Sequence, residues 1–115
     1  MLKITRESYQ CRVELFQVNK LNTLFSGLVK QQLQELVEES GNSVIFDLEG
    51  IKFIDTAGFE VLQEITRHAI HHGSSFKLCN VADEVKELII LLELEQQLSI
   101  CSCERVEEKI QVVLD

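Results

Sequence analysis

Residues 43–58 of the chain read Ser-Val-Ile-Phe-Asp-Leu-Glu-Gly-Ile-Lys-Phe-Ile-Asp-Thr-Ala-Gly, and this stretch decides the fold. It opens with the apolar run Val44–Phe46, which Asp47 interrupts and Leu48 resumes. That pattern is typical of a strand that is buried on both faces and reaches solvent at its carboxyl end. The stretch therefore predicts a central, interior strand.

A helix is predicted to begin a few residues after this strand. Three apolar residues first return the chain to the core: Ile51, Phe53 and Ile54. From Val61 the apolar spacing becomes that of a helix. Asp55 or Thr56 therefore stands at the helix start, where a side-chain oxygen accepts a free backbone N–H. A hydroxyl at that point lies on the surface, at the positive end of the helix dipole.

The residues before the central strand predict a hairpin and a helix. Partly alternating apolar residues place the two strands of the hairpin at Leu2–Glu7 and Gln10–Phe16. The helix begins near Thr23 and ends at Gly41 and Asn42. Its apolar stripe consists of Phe25, Leu28, Val29, Leu33, Leu36 and Val37.

The remainder of the chain predicts alternating elements: a helix closed by Gly73, a strand, a helix begun by Asn80 or Asp83, a strand and a final helix. Their apolar residues are, in that order, Val61, Leu62, Ile65 and Ala69; Phe76, Leu78 and Cys79; Val85, Leu88, Ile89 and Leu92; Leu98 to Cys101; and Val106 to Val113. Such alternation favours parallel strand pairing. The predicted fold class is α/β, with a mixed sheet of about four or five strands and helices packed against it.

Size and charge limit the kinds of partner. A chain of 115 residues with 45% hydrophobic content fits one domain. No apolar run approaches the ~18 residues that span a bilayer and no leader is visible, so we expect a cytoplasmic protein without membrane insertion. The formal net charge of -8 opposes binding to nucleic acid or to anionic lipid. The oligomeric state stays open.

Two segments of the central stretch, Asp47–Ile51 and Phe53–Gly58, resemble the central motif of the STAS family, the sulfate-transporter and anti-sigma-factor-antagonist domains. The family pattern is a buried strand ending in Asp-Leu, followed by Phe-(Ile/Met)-Asp-Ser-(Ser/Ala)-Gly at the start of a helix. The resemblance implies one STAS domain over residues 1–115. In the bacterial anti-sigma factor antagonists the hydroxyl residue after that Asp is phosphorylated, and here it is Thr56.

The resemblance also implies a function. Unphosphorylated, an antagonist binds a kinase-type anti-sigma factor, which brings the ATP, and a phosphatase resets the switch. The contact surface is expected at Asp55 and Thr56, shaped by Ala57, Gly58 and Phe59. Phe59 is either an exposed anchor or a core residue, and the residues leave both possibilities open.

One element departs from the family pattern. The usual Gly-Glu-Leu-Asp has its nearest counterpart in residues 19–22, Asn-Lys-Leu-Asn, so Asn22 stands in place of the acid. Asn keeps the ability to cap a helix but loses the charge. This departure, and Thr in place of the commoner Ser, leave room for an alternative: a STAS subunit of a phospholipid ABC transporter or signalling scaffold, without phospho-switching. Neighbouring genes would discriminate between the two.

No catalytic or cofactor site is predicted. A nucleophilic Thr needs an adjacent base, and no glycine-rich phosphate loop is present, so we expect a non-enzymatic protein without a cofactor of its own. His68, His71 and His72 share one side of a helix at metal-binding intervals, but helix-end solvation is the favoured interpretation. The four cysteines lack ligand spacing. Cys11, Cys79 and Cys101 are expected to pack as small apolar residues in strands, although Cys101 and Cys103 could form a thiol pair.

Overall fold

The predicted central strand lies in the middle of a five-stranded sheet. A computed structural model of the chain describes residues 2–101, apart from the side chains of Leu24 and Phe25. The elements in chain order are β1 (Leu2–Glu7), β2 (Gln10–Leu15), β3 (Lys20–Leu21), α1 (Thr23–Val37), β4 (Ser43–Asp47), β5 (Phe53–Ile54), α2 (Thr56–His71), β6 (Ser75–Cys79), α3 (Asp83–Leu91) and β7 (Ile100–Cys101).

The sheet is mixed, as the sequence predicts. Its strand order is β1-β2-β4-β6-β7. β1 and β2 form the antiparallel hairpin, whereas β2, β4, β6 and β7 run parallel to one another. The parallel pairs are joined through helices because a chain must cross back over the sheet before it can add a parallel strand. The protein is a single compact α/β domain, and the predicted fold class is confirmed.

One face of the sheet packs against the hydrophobic core. Val44 and Phe46 of β4 are fully buried, and the ring of Phe46 lies 6.3 Å from that of Phe76 on β6. Ile45, between them, is only half-buried, and its register partners are Arg12 and Lys77. The expectation of a strand buried on both faces is therefore wrong for β4, because its second face carries polar neighbours.

α1 and α2 pack against each other and against this sheet. The buried stripe of α2 includes the four predicted residues Val61, Leu62, Ile65 and Ala69. The apolar stripe predicted for α1 is buried less completely, since Leu28 within it is 46% exposed. Lys30 and Glu64 join the two helices through an ion pair of 2.7 Å on their solvent side. Among residues 2–101, no helix combines the length and apolar character needed to cross a bilayer.

The third helix begins differently from the prediction. Ala82, rather than Asn80 or Asp83, occupies the N-cap position of α3, and no side chain caps the helix there. Asn80 instead adopts a positive φ of 54° and donates to the Asp47 carboxylate at 3.1 Å. The predicted final helix, Val106 to Val113, lies outside the described residues.

A short parallel pair, β3 with β5, forms a second sheet that the sequence does not predict. Leu21 of β3 and Ile54 of β5 are register partners, and both are buried. This pair connects the segment before α1 to the segment before α2. It thereby brings the starts of the two helices together.

Candidate functional site

Two backbone hydrogen bonds, one just before β5 and one just after it, hold the chain that leads into α2. The N–H of Lys52 donates to the Asn19 carbonyl at 2.7 Å, and the N–H of Asp55 donates to the Leu21 carbonyl at 3.1 Å. Segments 19–21 and 52–55 are therefore hydrogen-bonded to each other at both ends of the β3–β5 pair. The position of the α2 start is fixed by this pairing.

A buried carboxylate fixes the turn that leads from the central strand to β5. Asp47, at the end of β4, is 6% exposed and receives a hydrogen bond from Arg12 at 2.6 Å. Its other oxygen accepts the N–H of Glu49 at 2.9 Å and the Asn80 side chain. Because these partners offset the cost of burying the charge, the motif's first Asp has a structural role.

Asp55 is the N-cap of α2. Its backbone is extended, with φ -87° and ψ -180°, and its Oδ1 accepts the N–H of Gly58 at 2.8 Å. Its carbonyl accepts the first helical hydrogen bond, from the N–H of Phe59 at 3.0 Å. Of the two residues that the sequence allows as the cap, Asp55 rather than Thr56 takes that place.

The second oxygen of Asp55 reaches the start of the other helix. Oδ2 accepts hydrogen bonds from the backbone N–H and the hydroxyl of Thr23, each at 3.0 Å. The pKa of the Asp55 carboxyl is lowered, chiefly because the Gly58 N–H donates to it, with Thr23 adding to the effect and partial burial opposing it. A carboxylate with a lowered pKa whose oxygens are already engaged is a weak proton acceptor, so Asp55 suits a structural role better than that of a general base.

Thr56 is the first residue of α2 and is exposed. Its hydroxyl therefore lies at the amino end of the helix, where backbone N–H groups lack partners within the helix. A phosphate at this position is favoured by the helix dipole. Ala57, the next residue, is half-buried.

Gly58 and Phe59 lie in the interior, so neither presents a side chain on the expected contact surface. Phe59 is 3% exposed, which settles its two open alternatives in favour of the core. A Cβ on Gly58 would lie 2.7 Å from Ile54 Cγ2 and 2.8 Å from the Leu21 carbonyl oxygen. The glycine is needed because α2 approaches β3 and β5 closely at this point, and both residues shape the surface only from beneath.

Asn22 lies beside the same junction. It directly precedes Thr23, the α1 residue that is hydrogen-bonded to Asp55, and its carbonyl accepts the Ser26 N–H at 2.9 Å. Its side chain is half-buried. The structure thus gathers Asn22, Asp55, Thr56 and Ala57 at one end of the domain.

Other residues at this junction are not predicted from the sequence. Thr23 has no motif of its own, and its contact with Asp55 depends on the β3–β5 pairing. Phe53 is 49% exposed, against the expectation that it returns to the core. Successive side chains of a strand point to opposite faces, so Phe53 and Ile54 could not both face the core, but the sequence does not show which of them does.

The histidine and cysteine clusters remain separate from this junction. His68 Nε2 lies 2.9 Å from Oε2 of Glu38, and this contact is the largest cause of the lowered pKa of Glu38. Within residues 2–101, no three His, Cys, Asp or Glu side chains are grouped as a metal site. Cys79 is buried and Cys101 half-buried on neighbouring strands, and Cys103 lies outside the described residues.

Comparison with known proteins identifies the family. The model of the STAS domain family matches residues 13–111. Comparison with curated protein sequences finds no match. Among solved structures, an anti-sigma-factor antagonist (STAS) domain protein from Planctomyces limnophilus is 18% identical with a TM-score of 0.75, the alignment covering 88% of this chain and 89% of that one.

Two further antagonists have the same fold. One, from Mycobacterium paratuberculosis, is 13% identical with a TM-score of 0.75 over 100% of this chain and 94% of that one. The Bacillus cell fate determinant SpoIIAA, in its phosphorylated form, is 12% identical with a TM-score of 0.68 over 96% and 99%. Likeness at such low identity shows the fold alone. The family match over residues 13–111, together with this fold, shows that the chain belongs to the STAS domain family.

Proposed function

We propose that this protein is a non-enzymatic regulator of the anti-sigma factor antagonist type, switched by phosphorylation of Thr56. The observation that carries the proposal is the position of Thr56, exposed on the first turn of α2 beside the cap Asp55. The backbone there is held by β3 and β5, so a partner meets a preformed surface. The whole chain, residues 1–115, acts as one STAS domain in this proposal.

Phosphorylation at Thr56 changes the surface more than the fold. A phosphate adds about -1.5 to -2 charges and three acceptor oxygens. Inside the protein, the dipole at the amino end of α2 favours that charge. The partner, by contrast, gains a dianion in the middle of its contact. Release of the partner is the expected result.

The partner supplies the chemistry. A kinase-type anti-sigma factor binds ATP and transfers the phosphoryl group, and a phosphatase removes it, so the protein needs no cofactor of its own. Asp55 keeps its role as the cap in both states, because the Gly58 N–H needs that acceptor whether or not Thr56 is modified. The contact in this proposal includes Asp55, Thr56, Ala57 and Asn22.

The test compares the protein from its own cells with two variants. Mass spectrometry should find phosphate on Thr56 in at least one growth condition. Thr56→Ala should keep its partner when ATP is supplied, and Thr56→Glu should lose it while both variants melt close to the wild type. Thr66→Ala, on the same helix, is the matched control and should behave as wild type. No phosphate on Thr56, with equal binding by the Ala and Glu variants, would favour the alternative of a constitutive STAS subunit.

A further inference from the structure

An aromatic side chain stands exposed on the rigid segment just before Thr56. Phe53 is 49% exposed, whereas its neighbour Ile54 is 2% exposed. In the β3–β5 pair, Leu21 and Ile54 face the interior together, so their register neighbours Lys20 and Phe53 face outward together. Lys52, the residue before Phe53, is also exposed. We call Lys20, Lys52 and Phe53 the Phe53 patch.

Backbone hydrogen bonds before and after Phe53 fix the segment that carries this patch. Lys52 N–H donates to the Asn19 carbonyl at 2.7 Å, and Asp55 N–H donates to the Leu21 carbonyl at 3.1 Å. Gly58 lets α2 lie directly beneath Ile54 and Leu21, because a Cβ at this position would meet both residues. A large aromatic ring presented on fixed backbone loses little conformational freedom on binding. Such residues are enriched among those that carry most of the energy of an interface.

The charge of the patch indicates the chemistry of its partner. The chain as a whole has a formal net charge of -8, yet Phe53 has Lys20 as its register partner and directly follows Lys52, and both lysines are exposed. We propose that the Phe53 patch is the anchor for the partner that the Thr56 switch controls, and that this partner offers an apolar pocket rimmed by carboxylates. The inference rests on the proposed function, because it concerns the same partner. It assigns the anchor to Phe53, a residue of the family motif that is neither its hydroxyl residue nor its cap.

An acidic rim also explains the direction of the switch. Thr56 follows Phe53 by three positions and is the exposed first residue of the helix that β5 leads into, so we place its phosphate at the edge of the same contact. Carboxylates drawn to Lys20 and Lys52 would then face a dianion of like charge. Repulsion across a contact costs affinity and changes the preferred partner. The same rim that favours binding to the free protein therefore opposes binding to the phosphorylated one.

The experiment places the photo-reactive residue p-benzoylphenylalanine at position 53 and, as a control, at position 28. Leu28 is 46% exposed on α1, so it matches the exposure of Phe53 outside the patch. After irradiation in the cells of origin, we expect one protein adduct from position 53 and none from position 28. The cross-linked peptide of the captured protein should contain apolar residues together with Asp or Glu.

Purified partner identified in this way then tests the charges. Phe53→Ala should weaken its binding at least tenfold, and Lys20→Glu or Lys52→Glu should each weaken it several-fold and reduce its dependence on salt. Lys77→Glu, an exposed lysine on β6, is the control and should leave binding unchanged. Circular dichroism of each variant confirms that it is folded.

The outcomes separate this inference from the proposed function. An adduct from position 53 that disappears with Thr56→Glu supports both. An adduct from position 53 that Thr56→Glu leaves intact overturns the switch and keeps the patch as a docking surface for another role. Partner binding that responds to Thr56→Glu but not to Phe53→Ala or the lysine reversals overturns this inference and keeps the switch. Absence of an adduct from position 53, or equal adducts from positions 53 and 28, also overturns it.

Discussion

Asp55 and Thr23 are joined by two hydrogen bonds, from the Thr23 N–H and from its hydroxyl to Asp55 Oδ2, although 32 positions separate them in the chain. The other oxygen of the same carboxylate caps α2 through the Gly58 N–H. One side chain therefore ties the start of α1 to the start of α2. This tie holds the candidate phosphorylation site in a fixed place relative to both helices.

The role of Asp55 as the cap predicts unequal effects of two neighbouring substitutions. Asp55→Ala removes the acceptor for Gly58 and Thr23, so it should lower the melting temperature by roughly 4 °C or more. Thr56→Ala leaves the cap in place and should change the melting temperature by much less. Thermal unfolding of both variants at pH 7 is the measurement. A larger loss from Thr56→Ala would contradict the assignment of the cap.

The lowered pKa of Asp55 predicts a dependence of stability on pH. A carboxyl whose pKa is lowered on folding stabilises the protein above its unfolded-state value of about 3.9 and loses that contribution as the pH falls through the folded value. Wild type should therefore be more stable than Asp55→Asn near pH 7, and the difference should shrink on going from about pH 5 to pH 3. Urea unfolding at several pH values measures it. A difference that stays constant down to pH 3 would argue against an ionised, hydrogen-bonded Asp55.

Gly58 and Gly27 offer a matched pair of glycine substitutions within helices. A Cβ at Gly58 meets the Leu21 carbonyl oxygen at 2.8 Å, and this backbone atom cannot move away easily, so Gly58→Ala should destabilise by about 1–3 kcal/mol. Gly27, on α1, has nothing within 4 Å of such a Cβ. Gly27→Ala should therefore stabilise by up to about 1 kcal/mol. Equal effects at both positions would show that α2 does not approach β3 and β5 closely.

Two phenylalanines distinguish the core from the surface. Phe46 is fully buried on β4, so Phe46→Asp places an unpaired charge in the interior and should unfold the domain. Phe53 is 49% exposed, and Phe53→Asp should remain folded. Circular dichroism and melting curves decide between them. A folded Phe46→Asp with a normal melting temperature would mean that β4 is not central.

The parts of the fold that the sequence predicts are the elements long enough to show an apolar pattern. The strands β1, β2, β4 and β6 each have five or six residues, and α2 has 16. β3 and β5 each have only two residues, too few to show a period, and they exist because each pairs with the other. The exposure of Phe53 was missed for the same reason, since it depends on which side of that pair faces the core.

The candidate site shows the same limit. Asp and Thr are both good N-caps, so the sequence alone could not choose between Asp55 and Thr56. The choice is made by tertiary structure, because the N–H of Asp55 is held by the Leu21 carbonyl and its carboxylate by Thr23. Burial of Phe59 likewise follows from the packing of α2 on the interior. Local pattern predicted where the junction lies but not which of its side chains face outward.

The central claim, that phosphate on Thr56 releases the partner, is tested most directly by measuring one affinity in two states. Protein with phosphothreonine installed at position 56 and unmodified protein are titrated with the same purified partner at the same salt concentration. We expect the phosphorylated form to bind at least tenfold more weakly, with a melting temperature within a few degrees of the unmodified form. Equal affinities of the two forms for the partner would contradict the account.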